Sequence, residues 1–231
     1  MHYFIGKFNF KKERIKIVDK ELLHQFNNVL RFNKGEKILL GNGKNREALA
    51  IIEKINKDFA VLKTLNLKKS TEEPHKEVSL YCSILKRENF EFVCQKATEI
   101  GIKEIFPIIC ERTVKFGFKK ERLEKIIKEA SEQSKRGEVP KLNIPLIFLK
   151  AIENARENEV NILFDILGSP IKGILPFGFK KVGVFIGPEG GFSQKEIDLV
   201  RKSNFKILNL GKLTLRAETA AVVGCWLTVN L

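Results

Sequence analysis

The chain has 231 residues, 43% of them hydrophobic and 30% charged, which describes a soluble globular protein with enough length for one large or two modest domains. No apolar run of the roughly 18 residues a membrane span needs is present, and the charged residues after Met1–Lys7 leave no room for a secretory leader, so a cytoplasmic location is expected. The net charge of +14 favours a polyanionic partner, although a solvated basic surface would give the same sum.

That charge is uneven. Residues 1–69 hold 16 Lys and Arg against 7 Asp and Glu, a net +9, so the N-terminal part is the expected polyanion handle. Within it, Glu36–Leu40, Ala48–Ile52 and Phe59–Leu65 read as strands, the first two separated by the turn signal Gly41-Asn42-Gly43. Short strands with glycine turns predict a small β-barrel. Residues 70–77 are polar and contain Pro74, which places a linker there between a domain over 1–69 and a second over 78–231.

The pattern then becomes alternating strands and helices. Val78–Leu85 reads as a strand, and Phe90, Val93, Cys94, Ala97 and Ile100 mark one face of a helix. Ile105–Ile109 reads as the next strand, and Leu123, Ile126, Ile127 and Ala130 mark another amphipathic helix. Phe148–Arg156, Glu159–Ile166, Val182–Ile186, Glu196–Arg201, Phe205–Leu210 and Ala217–Val229 continue the alternation, which predicts an α/β domain with a mainly parallel sheet.

Two glycine-bearing segments follow strands and precede helices: Ile186-Gly187-Pro188-Glu189-Gly190-Gly191 and Leu210-Gly211 through Leu215-Arg216-Ala217-Glu218. Loops at the carboxyl ends of neighbouring parallel strands line the crevice where such sheets bind small ligands, so a cofactor site is expected there. A plain strand-to-helix turn would also call for glycine. The spacing is not that of a dinucleotide fingerprint, and no acid stands about 20 residues on to hold a ribose. Ser193-Gln194-Lys195-Glu196 fits a capping box, which starts the next helix at Ser193 with its N-terminus toward the first loop.

Arg216 follows apolar Leu213 and Leu215 in this expected crevice, so its guanidinium needs an anionic or carbonyl partner. Glu218 would also suit a helix N-terminus without any function. The three histidines, His2, His24 and His75, all precede the domain with the loops, so a histidine base would have to come from elsewhere. Cys82, Cys94, Cys110 and Cys225 lie far apart with no paired spacing; they read as reduced core residues, and no metal is expected. Basic groups at Lys86-Arg87, Arg112, Lys115 and Arg136 stand at the ends of two strands and a helix. They are candidates for a phosphate-binding rim, against the alternative of a solvated surface.

With both loops in view, the chain resembles the bacterial family that methylates N3 of a uridine in 16S ribosomal RNA, in the knotted SPOUT class of S-adenosylmethionine-dependent RNA methyltransferases. The resemblance rests on Gln95–Ile102, Ile105-Phe106-Pro107 with Glu111-Arg112, and Glu132-Gln133 with Arg136 and Pro140. It continues through Ile186–Gly191 and Leu210–Ala220, with His24 and Val29-Leu30-Arg31 matching the N-terminal pattern. It implies a PUA-like RNA-binding barrel, a parallel-sheet domain closed by a C-terminal trefoil knot, a homodimer, and a substrate in the decoding region of the small ribosomal subunit.

By the same resemblance, S-adenosylmethionine would be held by the wall Leu163–Leu167, with Leu163, Phe164 and Leu167 foremost, by Ile186, Gly187, Pro188, Glu189, Gly190 and Gly191, and by Leu210, Gly211, Leu213, Leu215, Thr219 and Ala220. Arg216 would stabilise the uridine anion, Glu218 would orient Arg216 or accept the proton, and Arg31 would join the RNA contacts. Ribose 2′-oxygen methylation and a non-catalytic assembly factor are the alternative readings.

Overall fold

The computed structural model describes residues 1–70, 73–114, 117–171 and 178–230. The chain divides into two compact units, one of Met1–Glu73 with Ser131–Val139, the other of Pro74–Ala130 with Pro140–Leu231. The division at Glu73 and Pro74 falls inside the polar 70–77 stretch. Segment 131–139 differs from the sequence-drawn boundary, which put it in the second domain.

The first unit carries β1 (Tyr3–Ile5), β2 (Arg14–Ile17), the short helix α1 (Lys20–His24) with a π-helical turn over Gln25–Val29, β3 (Lys37–Gly41), β4 (Arg46–Ile55) and β5 (Ala60–Lys69). They form a five-stranded sheet of order β1-β3-β4-β5-β2, antiparallel except where β1 runs parallel to β3. Strand alternation sends Ile15 and Ile17, Ile38 and Leu40, Ala50 and Ile52, and Ala60 and Leu62 into one core with Phe4, Phe26 and Phe32. Phe4 meets Phe26 and Phe32 edge to face, with centroids 4.9 and 6.1 Å apart.

Segment 131–139 joins this unit through polar bonds. The Tyr3 hydroxyl donates to the Arg136 carbonyl oxygen at 3.1 Å, and the Ile5 N–H donates to Glu132 Oε1 at 2.7 Å. Arg136 Nη2 meets Glu73 Oε2 at 2.6 Å, and the other carboxylate oxygen of Glu73 accepts from the Glu138 N–H at 3.0 Å.

The second unit alternates as its pattern predicts: β6 (Glu77–Ser83), α2 (Arg87–Ile100), β7 (Glu104–Ile109), α3 (Lys120–Gln133), β8 (Lys141–Leu142), β9 (Leu146–Ile147), α4 (Phe148–Asn154), β10 (Val160–Pro170), β11 (Lys181–Ile186), α5 (Gln194–Lys202), β12 (Lys206–Asn209) and α6 (Ala217–Asn230). Every pairing is parallel, in the order β12-β10-β11-β6-β7-β8 with β9 on β7. Tyr81 stacks between Phe106 and Phe185 across the three central strands, with centroids 4.6 and 4.4 Å away. Helix α6 packs on α2, β6 and β11. Among the described residues no helix is long and apolar enough to cross a membrane.

Candidate active site

Strands β10, β11 and β12 end side by side, and a cavity of about 620 Å³ lies beyond their carboxyl ends. Its floor and walls are apolar: Phe164 and Ile166 from β10, Ile186 and Phe192 around the first glycine loop, and Leu210, Leu213 and Leu215 from the second. The loop backbones of 187–191 and 209–211 complete the wall. Gly191 has φ 70° and Gly211 φ 144°, conformations that side chains with a Cβ rarely adopt.

β10 contributes an irregularity that shapes the third side. Phe164 and Ser169 both pair with Leu208, so residues 165–168 leave the ladder between them. Asp165 Oδ1 accepts from the Leu167 N–H at 2.9 Å, and Asn209 Nδ2 donates to the Gly168 carbonyl oxygen at 2.7 Å. A Cβ on Gly168 would stand 2.5 Å from the Leu208 carbonyl carbon, so glycine is what lets the bulge lie against β12. The bulge turns Asp165 and Ile166 into the cavity.

Neighbouring loops hold the first glycine segment in place. Arg112 Nη1 donates to the Gly190 carbonyl oxygen at 2.8 Å, and the Lys86 N–H donates to Glu189 Oε1 at 3.2 Å. Buried Glu196 accepts from the Ser193 N–H at 2.8 Å with one oxygen and from the Glu111 N–H at 2.9 Å with the other. The Ser193 side chain accepts in turn from the Glu196 N–H, which completes the capping box that the sequence predicts at the head of α5.

The structure brings most of the expected cofactor residues together. Phe164, Ile186, Gly187, Pro188, Glu189, Gly190, Gly191, Leu210, Gly211, Leu213, Leu215 and Ala220 line the cavity, as do Arg216 and Glu218. Three others lie elsewhere. The Leu163 side chain is enclosed in the core with Tyr81 and Phe185, Leu167 stands exposed on the bulge, and exposed Thr219 is outside the lining. Strand alternation explains Leu163: Phe164 faces the cavity, so its neighbour faces the opposite side. Asp165 and Ile166 belong to the expected Leu163–Leu167 wall, and Phe192, Thr214 and Ala217 stand in or beside the two expected loops; Asn89 and Asn209 line the cavity unexpectedly.

Arg216 is exposed at the cavity wall and makes no ion pair with Glu218 among the described residues. Glu218 Oε2 is enclosed and has no hydrogen-bond partner. An enclosed carboxylate oxygen without a donor is costly, and a ligand donor would relieve it.

The residues expected to form a phosphate rim fall in both units. Lys86, Arg87 and Arg112 are exposed in the second unit, Arg31 is exposed in the first, and Lys115 lies outside the described residues. Arg136 differs from expectation: it is 5% exposed and committed to Glu73. A buried guanidinium requires such a partner, so its charge serves the first unit's packing rather than a phosphate.

A parallel α/β sheet with a ligand-sized cavity beyond three adjacent strand ends, joined in one chain to a small basic β unit, defines an enzyme that handles a small cofactor and a polyanion. Residues 71–228 match the family model described as an RNA methyltransferase domain, and residues 28–65 match the RNA methyltransferase PUA domain. The chain belongs to this RNA methyltransferase family. Among curated relatives, ribosomal RNA small subunit methyltransferase E of Mesomycoplasma hyopneumoniae is 36% identical over 160 residues, 67% of this chain and 70% of that one. Ribosomal RNA small subunit methyltransferase E 2 of Borreliella burgdorferi is 32% identical over 222 residues, 90% of this chain and 88% of that one.

Among solved structures, a Neisseria gonorrhoeae ribosomal RNA small subunit methyltransferase E bound to S-adenosylmethionine superposes with a TM-score of 0.88 at 26% identity, covering 97% of this chain and 95% of that one. A Legionella pneumophila methyltransferase in complex with the same cofactor gives 0.87 at 29% identity, over 98% and 95%.

Proposed function

We propose that this protein methylates N3 of a uridine in the 16S RNA of the small ribosomal subunit, using S-adenosylmethionine, in the cytoplasm and as a homodimer. The observation that carries the reading is the cavity itself, with Arg216 and Glu218 in the wall of an apolar chamber bounded by two glycine loops. Its volume of about 620 Å³ lies in the range of roughly 300–1,000 Å³ typical of small-ligand sites. The apolar side chains suit an adenine ring, and the backbones of Gly187, Gly190 and Gly211 offer polar groups at close approach. S-adenosylmethionine supplies an electrophilic methyl group when bound there.

The acceptor sets the remaining demands. N3 of uridine is an imide nitrogen protonated at neutral pH, so its proton must leave and the charge that develops on O2 or O4 must be stabilised. Arg216 carries a fixed positive charge and is our anion-stabilising group; Glu218 is our candidate proton acceptor. The target base pairs through N3 and must therefore leave its pair or stack to reach the site. The basic first unit, with its net +9 over residues 1–69, supplies attraction to the RNA backbone. Exposed Trp226 on α6 and exposed Leu213 are apolar surface suited to a second copy.

Nucleoside mass spectrometry of small-subunit RNA from a strain lacking the protein tests the reading. N3-methyluridine should disappear, return with the wild-type chain, and stay low with Arg216→Ala, whose turnover should fall by about 10²–10³ as when one anion-stabilising donor is removed. Persistence of N3-methyluridine in the deletion strain, or loss of a 2′-O-methyl nucleoside in its place, overturns it.

A further inference from the structure

We infer that the cavity selects its cofactor by charge, and that Asp165 is a specificity-determining residue that favours the cationic methyl donor over the neutral product left after transfer. This rests on the proposed function and deepens it. Among the described lining residues, three carboxylates, Asp165, Glu189 and Glu218, face one guanidinium, Arg216. None of the three makes an ion pair with a Lys or Arg side chain among the described residues; the one contact from a basic residue is the backbone N–H of Lys86 on Glu189. The chamber is thus left with an excess of negative charge inside apolar walls.

The placement of Asp165 is built into the backbone. The bulge over 165–168 removes it from the β10–β12 ladder, its Oδ1 is fixed by the Leu167 N–H, and the bulge is tied to β12 through Asn209. A carboxylate held by a backbone N–H of its own bulge keeps its position without a counter-cation. Glu218 adds an independent sign of an absent positive or donor group, because its enclosed Oε2 has no partner.

The ligand chemistry supplies the complement. S-adenosylmethionine carries an ammonium, a carboxylate and a sulfonium. When the methyl group moves to nitrogen, the carbon–sulfur bond breaks with its electron pair retained on sulfur, and the N3–carbon bond forms with the electron pair of the N–H bond as the N3 proton passes to the Glu218 carboxylate. S-adenosylhomocysteine therefore keeps the ammonium and carboxylate but has lost the sulfonium charge. An acidic chamber loses attraction for its ligand at the moment of transfer, which favours product exchange. A unit charge about 6 Å away, at dielectrics between those of a protein surface and of water, changes affinity by roughly threefold to a hundredfold per carboxylate.

Isothermal titration calorimetry of the full chain with S-adenosylmethionine, S-adenosylhomocysteine and sinefungin, which bears an amine cation in place of the sulfonium methyl, tests this. Asp165→Asn retains Oδ1 as an acceptor for the Leu167 N–H. It should weaken S-adenosylmethionine and sinefungin roughly threefold to a hundredfold and leave S-adenosylhomocysteine within about twofold. For the wild type, raising salt should weaken the two cationic ligands more than the neutral one, a comparison that needs no variant. Equal weakening of all three by Asp165→Asn, no change in any, or an identical salt response overturns charge selection while leaving the proposed function standing. Failure of all three to bind the wild type removes both.

Discussion

Arg112, on the loop after β7, donates from Nη1 to the carbonyl oxygen of Gly190 at 2.8 Å. The bond joins two loops that lie 78 residues apart in the chain, and Gly190 is part of the cavity wall. Because Arg112 is exposed, its contribution to global stability is small, about 1 kcal/mol or less, whereas the position of the glycine loop depends on it locally. Arg112→Ala should weaken S-adenosylmethionine about fivefold and shift the melting temperature by only a few degrees, measured by calorimetry and thermal denaturation. Unchanged affinity would mean that the Glu196 bonds and the Lys86–Glu189 bond hold the loop without it.

What the sequence discloses about this site follows from how local the signals are. Both glycine loops are legible because each sits between an apolar strand run and a helix start, and Ser193 and Glu196 advertise their reciprocal bonds by spacing alone. Leu163 and Phe164 lie in one apolar run, which does not state which residue faces which side; both are buried, one in the core and the other against the cavity. Asp165 enters the cavity through a bulge set by cross-strand pairing with Leu208, and Asn89 arrives from the first turn of α2, far away in the chain. The first unit hides its edges for a similar reason: β1 has three residues, and β2 alternates Arg14 and Lys16 with Ile15 and Ile17 amid charged neighbours. A knotted path for the C-terminal segment is an expectation that only the resemblance supplies, since periodicity carries no information on threading.

The Arg136–Glu73 pair predicts a large stability effect and no RNA effect. Arg136 is 5% exposed, and removing one member of a buried pair leaves the other uncompensated. Arg136→Ala should cost about 3 kcal/mol, measured by urea denaturation. An Arg136 that served a phosphate would instead leave stability intact and lower the salt dependence of RNA binding by about one phosphate contact.

The four cysteines should behave as protected acids. All are free and buried, and burial pushes Cys94 and Cys110 up to about 12 and Cys82 and Cys225 well above the ordinary 9.0. A thiol in the unfolded chain deprotonates near its ordinary value, while the folded one keeps its proton to about 12. Stability is therefore complete below pH 9 and declines as the pH rises from 9 toward 12, because the unfolded state alone sheds protons there. Denaturant titrations across that window should show the decline, and a thiol-specific disulfide reagent at pH 8 should label the native protein slowly and the unfolded one at all four sites.

Gly224 on α6 separates cavity shape from global stability. A Cβ at this position would stand 2.7 Å from Cε2 and 2.8 Å from Cδ2 of Phe164, whose ring lines the cavity. Gly224→Ala gains about 1 kcal/mol of helix propensity and loses about 1–3 kcal/mol to overpacking, so the net change in stability is modest. The ring must yield, and the room into which it can move is the cavity. S-adenosylmethionine affinity should therefore fall about tenfold, more than the change in folding stability would suggest. Adding Phe164→Leu, which removes the colliding edge, should recover part of the loss, a coupling measured by a double-mutant cycle in the calorimeter. Equal affinity for wild type and Gly224→Ala would show that Phe164 relaxes away from the cavity and does not set its width.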